Sequence, residues 1–375
     1  MPERQPFKLA SRPASRKRPL VSLLKIMPSN TNAATASAES IRTDLKAMFA
    51  DLQRGRPEVQ PSKYWVELNR SDEAALMAVG FENFKRTVAK HYFTWTQIWP
   101  WDSQLRFLMS QLPLTATCAN IFRTFQPIKH QHMPLSQSLA VNFLSQMIWD
   151  YALKTCPFLD KLAEPEIGNP PRVLRNGRLI SQDLANSALE AQSILAGLPG
   201  TTGVKRVGEL GAGYGRNAYV LLSLLPGVRY VVIDIPPALY VAQRYLSAVF
   251  PDRKVFTWRS FKSYAGIKDE FEQADLAFLL PSQIELLPNG LFDLFVNVSS
   301  LHEMRLEQIQ YYFTQIRRLV REQGWFYLKE WKESHIPFEN IVIRQAEYPL
   351  AEWQILFERE AKVQTKFFEA LLQRK

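Results

Sequence analysis

The feature that most constrains the fold is a glycine-rich turn between a short apolar strand and a helix. The strand is predicted over residues 204–210 and runs into the sequence Gly211-Ala-Gly-Tyr-Gly215. Glycines let the backbone turn sharply and approach a ligand closely, where a Cβ would collide. A second apolar strand, residues 230–234, follows about one helix later. Together these elements predict half of a nucleotide-binding α/β domain with a parallel sheet.

The residues around the turn indicate which cofactor it binds. The dinucleotide fingerprint G-x-G-x-x-G requires a glycine where this chain has Arg216. Glu209 lies two residues before the first glycine, where a carboxylate suits a cationic ligand. Asp234 ends the second strand and can accept hydrogen bonds from both hydroxyls of a ribose. The pattern therefore predicts S-adenosylmethionine as the methyl donor, with S-adenosylhomocysteine as its product and no metal ion.

The predicted donor site gathers residues from the carboxyl ends of several strands, where such sheets bind their ligands. Its members are Glu209, Gly211, Ala212, Gly213, Gly215, Asp234, Ile235, Ser282, Gln283 and Asn297, with Ser282 and Gln283 beside the adenine. Tyr214 and Arg216 in the turn are expected to contact the acceptor substrate. Ser181 can cap a helix to residue 198, from which Asp183 and Asn186 could either reach the donor or face solvent.

The acceptor side is predicted after the fourth strand, residues 292–300, in the sequence Leu301-His-Glu-Met304. Methylation of a hydroxyl oxygen requires a base that takes the proton during attack, and histidine suits neutral pH. We therefore expect His302 to be the general base, although a lone histidine is more often structural. Glu303 could orient His302, bind the substrate or begin a helix. His130 and His132 lack the further ligands that a metal site requires.

Further strands and helices alternate along the chain. A third strand is expected at 275–281 rather than at 254–261, and a fifth at 325–331 after an amphipathic helix over 306–323. Residues 353–372 predict a closing hairpin. The fold class is thus a class I methyltransferase Rossmann-like sheet, mostly parallel with an antiparallel closing hairpin, plus a helical N-terminal region.

We divide the chain into three regions. Residues 1–40 form a basic, low-complexity tail that we expect to be disordered; residues 1–26 hold seven basic side chains and one acidic one, or +6 of the net charge of +10. Translation could begin at Met27. Residues 41–178 are helical and rich in aromatic residues, and residues 179–375 form the methyltransferase domain. Within the helical region we expect helices at 41–52 and 136–152, an extended or turn segment at 64–69, an aromatic core or sugar-binding segment at 84–99 and a linker at 168–178.

The chain resembles a family of bacterial sugar O-methyltransferases. The resemblance is carried by the glycine turn, Asp234-Ile-Pro-Pro-Ala-Leu-Tyr240, Phe278-Leu-Leu-Pro-Ser-Gln-Ile-Glu-Leu-Leu-Pro288 and Asn297-Val-Ser-Ser-Leu-His-Glu-Met304, and it spans about residue 40 to the end. It implies a carbohydrate acceptor, such as a surface polysaccharide or its nucleotide-linked precursor.

Two other function classes stay open at this point. A nucleic-acid methyltransferase needs a basic surface, but beyond the tail the excess of basic residues is small and widely spread. A non-catalytic scaffold with this fold would have no need for the glycine turn and Asp234. The two cysteines, Cys118 and Cys156, form no disulfide framework, and no apolar run is long enough for a membrane span. We therefore expect a cytoplasmic protein.

Overall fold

The structure is a computed structural model that describes residues 31–88, 102–112, 115, 118–119, 135–200, 203–336 and 339–375. Its helices are α1 Thr31–Leu52, α2 Lys63–Val79, α3 Asp102–Gln111, α4 Leu135–Thr155, α5 Gln182–Gly197, α6 Arg216–Leu224, α7 Ala238–Val249, α8 Lys268–Gln273 and α9 Leu306–Leu319. Its strands are β1 Val173–Arg175, β2 Arg178–Ile180, β3 Arg206–Leu210, β4 Arg229–Ile233, β5 Val255–Phe256, β6 Leu276–Leu279, β7 Phe292–Val298, β8 Val320–Trp331, β9 Glu333–Ile336, β10 Ile341–Arg344, β11 Gln354–Glu360 and β12 Phe367–Gln373.

An eight-stranded sheet in the order β11-β12-β8-β7-β3-β4-β6-β5 forms the centre of the molecule. Strands β3 to β8 are parallel to one another, whereas β12 is antiparallel to β8 and to β11. The chain passes from β3 to β4 and then to the edge strand β5, places β6 between β4 and β5, and returns to β7 on the other side of β3. This reversal is the point where open α/β sheets bind ligands. The sheet confirms the predicted class I methyltransferase fold, including its closing hairpin.

The parallel strands are buried on both faces, as covered sheets require. One apolar cluster joins the sheet to α1 and α4 to α7, and a second joins its other face to α8, α9 and the closing hairpin. Ser181 caps α5 as predicted, since its Oγ accepts a hydrogen bond from the N–H of Leu184 at 2.9 Å. Both candidate segments for the third strand form strands. The preferred segment contains β6, which pairs with β4, and the other contains β5, which pairs with β6 at the edge of the sheet.

Several local predictions were wrong. Residues 64–69 are helical in α2, because Ser62 accepts a hydrogen bond from Trp65 N and starts that helix. The helix α1 begins at Thr31, inside the segment that we expected to be a tail. The linker at 168–178 contains a small hairpin of β1 and β2. The helix α9 ends at Leu319, and β8 starts at once, before Gly324.

Part of the N-terminal region lies outside the described residues. Residues 1–30, most of the aromatic segment 84–99, and His130 and His132 belong to that part. Within the described residues, none of the helices combines the length and the apolar character that a membrane crossing needs.

Candidate functional site

The glycine turn follows β3 at the centre of the sheet. Gly211, Gly213 and Gly215 all have positive φ angles, between 60° and 91°, which glycine adopts without the cost that other residues meet. A Cβ on Gly211 would lie 2.3 Å from the hydroxyl of Ser300, and one on Gly215 would lie 2.7 Å from Leu246. The protein's own packing therefore requires glycine at two positions of the turn.

The backbone amides of these glycines are bound within the protein. Gly211 N donates to Ile233 O at 2.8 Å, Gly215 N donates to Ala212 O at 3.0 Å, and Gly213 N donates to Asp234 Oδ2 at 2.7 Å. A phosphate-binding turn presents its amides to the phosphate instead. These three amides are therefore not available to a pyrophosphate.

Asp234 follows β4 and lies beside the turn. Its two carboxylate oxygens each accept one backbone hydrogen bond at 2.7 Å, from Gly213 N and Ile235 N. Burial raises the pKa of Asp234 to about 7, although these hydrogen bonds oppose the shift. Each oxygen keeps a second lone pair, and the side chain lines a cleft, so it can accept hydrogen bonds from a ligand.

A cleft with a volume of about 330 Å³ opens at the carboxyl ends of β3, β4, β7 and β8. This position and size are typical of small-molecule sites in such folds. The predicted residues that line it are Gly211, Gly213, Arg216, Asp234, Ile235, His302 and Glu303. Asp183 and Asn186 on α5 line it as well, and both are buried, so this face of α5 is directed to the cleft rather than to solvent.

His302 lines the cleft after β7 and is held by its contact with β8. Its Nδ1 lies 2.6 Å from Glu330 Oε2, and its Nε2 lies 3.5 Å from Glu303 Oε1. Glu330 is fully buried and also accepts hydrogen bonds from the backbone N–H groups of Ser300, Leu301 and His302. Burial lowers the pKa of His302, but Glu330 and Glu303 outweigh it and raise that pKa to about 9.

Glu330 was not identified from the sequence. It lies at the carboxyl end of β8, next to β7, where Val298 pairs with Lys329 in parallel register. A carboxylate at the end of the fifth strand was the available signal. In the neutral imidazole, the contact of Glu330 with Nδ1 favours the proton on that nitrogen and leaves Nε2, on the side of Glu303, to accept a proton, as a histidine base requires.

Arg216 lines the cleft but is bound to other residues of the protein. Its guanidinium donates to Glu190 Oε2 at 2.7 Å and to Ser187 Oγ at 2.6 Å, and 11% of its side chain is exposed. Glu190 also pairs with Lys329 at 2.7 Å. This buried group of one carboxylate and two cations ties α5, the turn and β8 together beneath the cleft.

Four other predicted residues of the strand and the turn lie outside the cleft lining, and Gly215 is one of them. Glu209 is buried behind the turn, where it accepts hydrogen bonds from Asn217 at 3.1 Å and Tyr230 at 2.9 Å; burial raises the pKa of Glu209 to about 7. Tyr214 points into the core, with its ring 5.3 Å from that of Tyr245. Ala212 is buried. These side chains support the turn and do not reach the cleft.

The same holds for the predicted residues on later strands. Gln283 is buried and closes its own turn, accepting from Leu280 N at 2.9 Å and donating to Arg259 O at 2.7 Å. Asn297 donates to Leu210 O and Ser300 Oγ and so joins the ends of β3 and β7. Ser282 packs beneath Gly55, where a Cβ would lie 2.8 Å from the serine Cβ. Pro281, their neighbour, lines the cleft instead.

An N-terminal segment that the sequence did not place covers one side of the cleft. We name residues 53–65 the strap; its lining members are Val59, Gln60, Pro61, Ser62, Tyr64 and Trp65. Gln308 on α9 holds the strap by donating to Glu58 O at 2.8 Å and Gln60 O at 2.9 Å. Ser62 before an aromatic pair was a helix-start signal that would have placed Tyr64 and Trp65 on a helix.

Two aromatic residues of the closing hairpin complete the wall near His302. Trp331 and Phe367 are register partners on β8 and β12, and their ring centroids are 4.8 Å apart. The Trp331 ring lies 5.9 Å from the His302 ring. Both rings line the cleft. Among the described residues, no group of three or more His, Cys, Asp or Glu side chains could hold a metal ion.

Comparisons with known proteins give no family assignment. No protein-family model matches the chain, and no curated protein matches it. Among solved structures, a methyltransferase from Leishmania major is 14% identical with a TM-score of 0.38, over 60% of this chain and 82% of that one. A Pyrococcus horikoshii protein is 13% identical with a TM-score of 0.37, over 52% and 92%. An Aquifex aeolicus methyltransferase is 13% identical with a TM-score of 0.34, over 50% and 89%. Similarity this low transfers no activity to this chain.

Proposed function

We propose that this protein is an S-adenosylmethionine-dependent O-methyltransferase that acts on a carbohydrate hydroxyl. One observation carries the proposal: the glycine turn with Asp234 and the Glu330–His302 pair open into the same cleft. The glycine turn and Asp234 suit a nucleoside with a cationic side chain. The Glu330–His302 pair suits the removal of a proton from an acceptor hydroxyl.

The donor half of the cleft fits S-adenosylmethionine better than a dinucleotide. All three glycine amides have protein acceptors, so none is reserved for a pyrophosphate. Asp234 would hold the ribose hydroxyls, while Asp183 and Asn186 on α5 would hold the methionine end. Gly211 and Gly213 would allow close approach of the donor. When bound, the donor supplies an electrophilic methyl group.

The acceptor half supplies orientation and a base. His302 Nε2 takes the proton of the attacking hydroxyl, and Glu330 stabilises the imidazolium that results, as the carboxylate does in other histidine-carboxylate pairs. Positioned bases of this kind contribute about 10²–10⁴-fold. Alignment of the hydroxyl by the surrounding walls contributes several kcal/mol, on the order of 7–11 in the most favourable cases.

The carbohydrate part of the proposal is supported by two features. The sequence resembles sugar O-methyltransferases in the segments around the glycine turn and His302. In addition, the wall near His302 is aromatic, with Tyr64, Trp65, Trp331 and Phe367 lining it. A pyranose ring has an apolar face of C–H groups that packs on aromatic rings, whose negative π-face favours them.

The catalytic role of His302 is tested by His302→Gln. We expect methyl transfer from labelled donor to fall by 10²-fold or more, while donor affinity measured by calorimetry stays within about twofold of wild type. The matched control is His335→Gln, since His335 is on β9, is exposed and does not line the cleft. Unchanged turnover in His302→Gln would remove the base from this mechanism.

A further inference from the structure

The charged side chains of the cleft are mainly acidic. Among the described lining residues, Asp183, Asp234 and Glu303 are carboxylates, whereas Arg216 is the one guanidinium, and His302 is the one imidazole. His302, whose pKa is raised to about 9, is cationic at pH 7, but it lies between the carboxylates of Glu330 and Glu303, so this group of three side chains keeps a net negative charge. The acidic excess is appropriate for a cationic donor. An acceptor that carried phosphate groups into this cleft would meet like charges, which cost free energy at close range.

Glu303 places a negative charge on the acceptor side itself. Its side chain is 22% exposed, and its Oε1 lies 3.5 Å from His302 Nε2, the nitrogen that faces the cleft. Any acceptor hydroxyl that reaches His302 must therefore pass within a few ångströms of this carboxylate. A sugar bound through its anomeric oxygen to a nucleoside diphosphate would bring its phosphates toward the same region.

Among the described residues, the basic side chains near the acceptor side are held by acidic partners or lie outside the lining. Arg305, which follows the lining residue Met304, pairs with Glu307 at 3.0 Å and with Glu339 at 3.8 Å. Lys329 is buried against Glu190 and Gln364. Lys366 lies over the Trp331 ring, 6.0 Å from its centroid, and is not part of the lining. Arg216 lies on the donor side, bound to Glu190.

The wall beside His302 and the strap offer aromatic surface to the cleft. Trp331 and Phe367 stand beside the His302 ring, and Tyr64 and Trp65 approach each other edge to face at 5.7 Å on the strap. Rings of this kind bury large apolar area and bind the C–H face of an uncharged ring. Their hydroxyl and indole N–H groups can donate hydrogen bonds to an oxygen, but they carry no positive charge to balance a phosphate.

We infer that the acceptor is a neutral glycoside, and not a nucleotide-linked sugar. The inference rests on the proposed function and narrows its substrate class. Its consequence is an order of reactions: a glycosyl transfer that releases the nucleotide carrier must come before methylation. The neutral sugar stacks on the Trp331 and Phe367 wall while its hydroxyl faces His302.

The test compares matched pairs of acceptors on protein saturated with S-adenosylhomocysteine. Each pair is the methyl glycoside of a neutral hexose or 6-deoxyhexose and the UDP- or GDP-linked form of the same sugar. We expect the methyl glycoside to bind at least tenfold more tightly by calorimetry. Tighter binding of the nucleotide-linked form would overturn the inference, as would the failure of every neutral glycoside to bind. Failure to bind S-adenosylhomocysteine itself would refute the proposed function instead.

Two variants connect the preference to its causes. Glu303→Gln should tighten binding of the nucleotide-linked sugar by about tenfold, whereas Glu322→Gln, which is exposed and outside the lining, should not change it. Trp331→Leu should weaken binding of the neutral glycoside by about three- to tenfold. Trp258→Leu is the matched control, because Trp258 is half-buried away from the cleft. An unchanged preference in both Glu303→Gln and Trp331→Leu would overturn the inference.

Discussion

Replacing Glu303 with glutamine should lower the pKa of His302. The imidazole is buried between Glu330 and Glu303, and the two carboxylates raise its pKa to about 9. A histidine with this pKa is about 99% protonated at pH 7 and must lose its proton before it can act as a base. Removing one of the two negative charges makes that loss easier.

The size of the effect follows from the distance between the charges. At 3.5 Å, two unit charges interact by roughly 1 kcal/mol in water and roughly 5 kcal/mol at an effective dielectric constant of 20. Glu303 is partly exposed, so we expect about 1.4–2.7 kcal/mol, or a pKa lower by about 1–2 units. At pH 7 the unprotonated fraction of His302 would then rise by about tenfold or more.

Nuclear magnetic resonance of the histidine rings measures this shift directly in protein without ligand. The chain has five histidines, and the His302→Gln variant identifies the resonance of His302. Glu303→Gln should move its titration midpoint down from about 9, while Glu307→Gln should leave the midpoint unchanged. A midpoint near the ordinary value of about 6.5 in wild type, or an equal midpoint in Glu303→Gln, would refute the electrostatic reasoning.

Three further predictions concern the turn and the strap. Gly211→Ala should lower the free energy of unfolding by more than Gly177→Ala does, because both glycines have positive φ but only at position 211 would a Cβ collide with another residue. Chemical denaturation should show a loss of stability of about 1–3 kcal/mol from backbone strain alone. Equal losses in the two variants would contradict the collision. Glu209→Gln should remove a change of about 3 kcal/mol in the free energy of unfolding with pH. Burial raises the pKa of Glu209 to about 7, so the folded state binds the proton of this carboxyl more tightly than the unfolded state does. The resulting stability is complete below about pH 4.5 and is lost as the pH rises through 7. Urea denaturation at pH 5 and pH 8 measures this change. An equal difference in unfolding free energy between the variant and wild type at both pH values would disprove the prediction. Gln308→Ala should speed amide hydrogen exchange at residues 57–62 but not in the sheet; unchanged exchange would mean that other contacts hold the strap.

Local signals predicted the centre of the fold correctly. The strand before Gly211, the capping by Ser181 and the strand that ends at Asp234 each depend on residues within one turn or one element. For these features the sequence carries the necessary information within short segments. The connection rules of parallel sheets limit the possible strand orders, but the observed order was not predicted from the sequence.

The remainder of the site depends on contacts between distant segments. Trp331 and Phe367 meet because β12 pairs with β8, and Tyr64 and Trp65 reach the cleft because Gln308 holds the strap. No spacing in the sequence encodes either contact.

The failed predictions have a related cause. Ser282 and Gln283 follow β6 as expected, but the packing of the strap and a local turn engage their side chains. Tyr214 belongs to the turn, yet its side chain points into the core because the turn rotates it toward Tyr245. The position of a motif in the sequence predicts the path of the backbone, whereas tertiary packing determines the orientation of each side chain.

The central claim is that the glycine turn and Asp234 bind S-adenosylmethionine. It is tested most directly by a calorimetric titration of wild type, Asp234→Asn and the exposed control Asp269→Asn with this donor. We expect one site per chain in wild type and in the control. Affinity should be weaker by about 10- to 100-fold in Asp234→Asn, since asparagine keeps one acceptor oxygen and the ribose loses one charge-assisted hydrogen bond, which contributes about 1.5–3 kcal/mol. Because Asp234 is a buried carboxyl whose pKa is raised to about 7, the asparagine variant should stay folded, which a thermal melt would verify. Full donor affinity in Asp234→Asn, or a wild-type protein that binds NAD and not S-adenosylmethionine, would contradict the claim.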